Sequence, residues 1–164
     1  MMLGLSLAAF TLLHVVISLI GIASGLVAVI ALVQNRYLRG WTTLFLTTTV
    51  LTSVTGFLFP VQKILPSHIV GVISLVVLIV AILALRTFRL AGAWRSVYIV
   101  TATLALYLNV FVLLVQAFLK VGFLNALAPT QNEPPFAAAQ GLALVIFAVI
   151  GFLGVRRFRR AAAL

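Results

Sequence analysis

The chain has no cysteine, and Glu133 is its only acidic residue. The missing cysteine excludes disulfides, thiolate metal sites and thiol nucleophiles. With no aspartate and one glutamate, neither a Ser-His-Asp triad nor a catalytic carboxylate pair can be assembled. Proton-coupled transport ordinarily relies on a carboxylate inside a span, and no apolar run here holds one. Charge of any sign is scarce, at 7% of 164 residues, too little to clothe a soluble domain. Phosphate loops and dinucleotide fingerprints are absent. So are repeats of fixed period, and the two halves do not resemble one another, which argues against an inverted-repeat transporter.

What the chain has is hydrophobicity, at 65% of its residues. Several apolar runs reach the roughly 20 residues that span a bilayer core. The composition predicts an all-α polytopic integral membrane protein, a single transmembrane domain over residues 1–164. Its expected bundle has five transmembrane helices, at about 5–33, 41–59, 67–85, 94–118 and 136–155. The first run is too long for a signal peptide and lacks a basic leader, so it is expected to be retained. It breaks at Gln34, Asn35, Arg36, Arg39 and Gly40. The second run is rich in hydroxyls, from Thr42 to Thr55, and Pro60 closes it. The segment PTQNEPP, residues 129–135, reads as a loop whose prolines resist helix.

The net charge is +10, but its placement points away from nucleic acid. The basic residues stand at the ends of the apolar runs, which indicates topology and contact with anionic lipid headgroups. Five spans put Arg36, Arg39, Arg86, Arg89, Arg95, Arg156, Arg157, Arg159 and Arg160 on one face. Lys63, Lys120 and Glu133 fall on the other. By the positive-inside rule the arginine face is cytoplasmic, with the N-terminus out and the C-terminus in. Trp41 and Trp94 fall at the cytoplasmic boundary, where indoles anchor.

Within the first run, His14, Ser18, Gly21 and Gly25 are spaced by 4, 3 and 4, which puts them in one helical stripe. Small residues so spaced let helix backbones approach closely in a membrane. Gly71, between Ser67 and Ser74, marks a second packing face on helix three. Counting the helical rise from each cytoplasmic end puts His14 and Gln116 roughly 30 Å up, His68 roughly 27 Å and Gln140 roughly 24 Å. His14 and His68 therefore share an outer stratum on different helices, with Gln116 as the expected amide neighbour. Asn109 and the helix-two threonines read more plainly as interhelical hydrogen-bonding groups, worth about 0.6 to 2 kcal/mol each.

Two imidazoles at one depth fit a single b-type haem or, with an amide, a quinol. A zinc or copper site is weaker, because two histidines leave the coordination short. The stretches LTSVTGFLFP, LPSHIVGVISL, YLNVFVLLVQAFLK and LAPTQNEPPF are similar to those of small bacterial inner-membrane proteins known only as predicted membrane proteins. That resemblance covers most of the chain and implies a multi-pass protein of the bacterial plasma membrane. It implies no activity. Three functions remain: a non-enzymatic accessory or assembly subunit of a larger membrane complex, partnered by other subunits or by itself; a haem or quinol redox module using His14 and His68; and a small permeation or lipid-handling protein.

Overall fold

The computed structural model describes residues 4, 6–59 and 66–158. Leu5, Pro60, Lys63, Arg159 and Arg160, which enter the sequence reading above, lie outside them. The protein is all-α. Its helices are α1 (Leu7–Val33), α2 (Arg39–Gly56), α3 (Pro66–Arg86), α4 (Trp94–Lys120), α5 (Gly122–Leu127) and α6 (Pro134–Arg157). Four of them, α1, α3 from His68 onward, α4 and α6, are long and apolar enough to cross a membrane. The threonine-rich α2, with 18 residues, is not among these four.

Local chemistry explains the ends. Ser6 caps α1 by accepting from the amide of Ala9 at 3.2 Å. At its other end Asn35 takes a left-handed φ of 57°. The Arg36 amide then reaches back to the Ala31 carbonyl at 2.8 Å, a Schellman closure in which asparagine stands in for the usual glycine. That reversal is so tight that α2 begins at Arg39 rather than Trp41. The α3–α4 turn is also left-handed, at Arg89 (φ 47°) and Leu90 (φ 57°). Leu90 is buried in the core, and Phe88 stacks on Trp94 with centroids 3.7 Å apart.

Two further features differ from the sequence reading. The six-residue α5 stands where only loop is expected. And α6 starts at Pro134, not Phe136. Pro134 and Pro135 fall in the first positions of the helix, where a missing N–H removes nothing and a fixed φ helps. Before them Glu133 accepts from the Thr130 amide at 3.1 Å, its hydroxyl at 2.9 Å and the Asn132 amide at 3.0 Å.

The long helices pack so that α1 lies against α2, α4 and α6, while α3 lies against α2 and α4. The core forms where these meet, around Phe45, Tyr98, Ile99, Ala102, Ala105 and Leu106, all essentially inaccessible. The outside is as apolar as the inside: Leu12, Ile69, Val76, Leu142 and Phe152 all face outward. Lipid contact accounts for such a surface, water does not.

Candidate functional site

A polar seam runs between α1, α2 and α4. Toward its end, His14 on α1 is half-buried, with Nδ1 2.8 Å from the Thr55 hydroxyl of α2. Thr55 directs its own hydroxyl to the Leu51 carbonyl, 2.7 Å away, as helix-borne threonines do. Its one proton thus engaged, Thr55 accepts, and Nδ1 donates. The imidazole is thereby set in the Nδ1–H form, with Nε2 as its acceptor. The edge of the ring meets Phe59 at 5.3 Å and 88°.

His68 belongs to the other flank of α2. Its ring lies 5.9 Å from that of Phe57. Phe57 also fills the space over Gly71, where a Cβ would stand 3.0 Å from its Cζ. Thr55 near the end of α2 and Phe59 beyond it thus meet His14, and Phe57 meets His68. Gln116 is half-buried on α4. Two other glutamines brace that helix from outside: Gln131 Nε2 donates to the Val115 carbonyl at 2.8 Å and Gln140 Nε2 to the Phe111 carbonyl at 3.2 Å.

Deeper in the seam, Ser18 donates to Asn109 Oδ1 at 3.2 Å, tying α1 to α4. One turn on, Gly21 opens a small polar hollow. A Cβ there would stand 3.1 Å from Thr48 Oγ1, and 3.3 Å from both Thr49 Oγ1 and Asn109 Nδ2. Thr49 Oγ1 and Asn109 Nδ2 are buried without a protein partner. Groups left so typically cost about 1–3 kcal/mol each, and they make this the most polar point of the bundle interior. Below it Gly25 is closed over by Phe45 and Leu106. On the other side of α2, Ser53 donates to Ser74 of α3 at 3.1 Å.

The chemistry available here is hydrogen bonding and one half-buried imidazole. No three His, Cys, Asp or Glu side chains gather among the described residues. Sequence reasoning missed Thr55 as the partner of His14, since Thr55 is one of a dense set of hydroxyls and only the register of α1 on α2 singles it out. That register makes a measurable prediction. A double-mutant cycle on His14→Phe and Thr55→Val should return a coupling of about 0.6–1.7 kcal/mol in detergent unfolding. Nitrogen-15 spectra of the wild type should show the Nδ1–H tautomer. Zero coupling would contradict the bond, and an Nε2–H ring would reverse its direction, with Thr55 donating.

No protein-family model, curated protein or solved structure matches this chain, so its function is argued from these contacts alone.

Proposed function

We propose that the protein is a non-enzymatic accessory or assembly subunit of a larger membrane complex, built as five spans with the N-terminus out and the C-terminus in. The observation that carries this reading is the outer side of α6. Its inner side, with Ala143, Phe147 and Gly154 buried, packs on α1 and α4. Its flank carries Ala137, Gly141 and Ala148, all exposed, and nothing approaches the position of a Gly141 Cβ within 4 Å. Only 11% of its span is buried, against 44% for α1. A small-residue flank on an under-buried span suits close approach by another helix. The His14–Thr55, Ser18–Asn109 and Ser53–Ser74 hydrogen bonds, meanwhile, join helix to helix.

The five-span count draws support from both ends of α2. Arg39 at its start lines one cavity with Arg86 and Arg89 after α3. At its other end it meets His14 and Phe10 of α1 and His68 of α3. So α2 runs the length of its neighbours.

Extraction in mild detergent should give a particle well above the 17.6 kDa of one chain. Gly141→Leu should release the single chain with its helical content and melting unchanged. A lone chain in the wild type would overturn the proposal, and a particle made only of this chain would redirect it to self-assembly.

One observation favours the redox reading as runner-up. His14 donates through Nδ1 and keeps Nε2 as acceptor, the arrangement usual for a ligating imidazole with an outer partner. A Soret band in the purified protein, lost in both His14→Ala and His68→Ala, would establish that reading over the first.

A further inference from the structure

The α1–α2 and α3–α4 turns meet over a cavity of about 250 Å³ lined by Tyr37, Arg39, Thr43, Leu85, Arg86 and Arg89. Three guanidiniums on one small cavity call for an anion, and no acidic side chain supplies it: the only one, Glu133, caps the far end of α6. The cavity does not stop at its polar mouth. Thr43, Leu85 and Arg86 also line a second hollow of about 270 Å³, which continues between α2 and α3 along Leu46, Val50, Leu51 and Ile82. From Thr43 to Leu51 this groove extends roughly 12 Å along the helix, most of the ~15 Å depth of one hydrocarbon leaflet.

The turn that supplies Arg89 is built at a conformational cost. Arg89 and Leu90 are both left-handed, a region that disfavours side chains bearing a Cβ. The strain is held by three contacts: the buried Leu90 side chain, the Leu90 amide on the Ala84 carbonyl at 3.0 Å, and the Phe88–Trp94 stack. These fix Arg89 beside Arg86, across from Arg39 on α2. Tyr37, which lies near enough to feel the charges of Arg86 and Arg39, adds a phenol to the wall.

From this arrangement we propose a specific site for an anionic phospholipid, its phosphate held by Arg39, Arg86 and Arg89 and one acyl chain lying in the α2–α3 groove. Guanidiniums recognise phosphate through paired N–H donors, and the contiguous apolar groove selects a lipid over a soluble phosphate. The site does not depend on the accessory-subunit reading. It does rest on α2 lying within the bilayer, and under the proposed topology it faces the cytoplasmic leaflet.

The test is binding in neutral-detergent micelles, where the orientation of the protein in a membrane plays no part. Native mass spectrometry should show phosphatidylglycerol retained, and phosphatidylcholine displaced at equal concentration. The double variant R86Q/R89Q should weaken phosphatidylglycerol binding by about 30-fold, on the usual contribution of each basic residue near a charged headgroup. Ile82→Trp, which fills the groove and leaves the charges, should weaken the lipid and leave inorganic phosphate binding as it was. Each variant is first checked for wild-type melting; R39Q replaces R86Q/R89Q should that pair not fold. Equal retention of phosphatidylcholine would overturn the proposal. So would unchanged affinity in the arginine variant, or glycerol phosphate binding as tightly as the lipid. Lipid binding together with an external C-terminus would keep the site and overturn the topology instead.

Discussion

Gly25→Leu should leave no recoverable folded bundle in detergent. A Cβ at Gly25 would fall 2.7 Å from both Leu106 Cδ1 and Phe45 Cδ2. Both neighbours are fully enclosed at 0% exposure, so neither can turn aside without displacing the core. Overpacking by one or two carbons already costs about 1–3 kcal/mol. Four added carbons at this crossing of α1, α2 and α4 should exceed that, out of a total stability on the order of 5–15 kcal/mol. The other glycines set the scale. Gly25→Ala should fold with a clearly lower melting temperature. Gly21→Ala should lose less, because its neighbours at 3.1–3.3 Å are hydroxyl and amide tips. Gly71→Ala meets only the Phe57 ring, which is 37% exposed and can swing outward. Size-exclusion recovery and thermal melting of the four variants check the order. Wild-type melting for Gly25→Leu would mean that α1 does not cross α2 and α4 here.

The helices were legible because each long apolar run is bounded by residues with a reason to stop it. Arg36 and Arg86 mark chain leaving hydrocarbon, and Asn35 tolerates the left-handed turn that ends α1. What misled was residue identity without position. Proline opposes a helix interior yet favours its first turn, so Pro134 and Pro135 opened α6 instead of delaying it. The six residues of α5 are too few to show a period. The shared stratum of His14 and His68 came from counting along each helix. Counting fixes depth but not azimuth, so it could not name Thr55 beside His14 or Phe57 beside His68. The arginine cavity was hidden for a related reason. Arg39, Arg86 and Arg89 were visible one by one as charges at helix ends, but their convergence needs α2 packed on α3 and a strained turn that no local pattern announces.

Whether α2 crosses the membrane decides the side on which every later segment stands. Its 18 residues extend roughly 27 Å, just short of the ~30 Å hydrocarbon core, and its threonines weaken its apolar character. Two of those hydroxyls are quiet, Thr48 donating to the Leu44 carbonyl and Thr55 to the Leu51 carbonyl, both at 2.7 Å, and the unpartnered Thr49 and Thr52 hydroxyls are buried inside the bundle rather than set in lipid. A hydroxyl bonded within its own helix brings little unmet polarity into lipid. If α2 instead lay on the surface, Arg86 and Arg89 would stand across the membrane from Arg36, against the positive-inside bias. The absence of cysteine makes the question directly testable, because each single-cysteine variant reports one position. A membrane-impermeant maleimide added to intact cells should label Asn132→Cys fully. It should leave Gln34→Cys and Thr87→Cys unlabelled until the membrane is opened. A reporter fused after Leu164 should read cytoplasmic. Labelling of Thr87→Cys from outside, with Gln34→Cys protected, would show that α2 does not cross, and would overturn the lipid site with the topology, since that site needs Arg39 on the same face as Arg86 and Arg89.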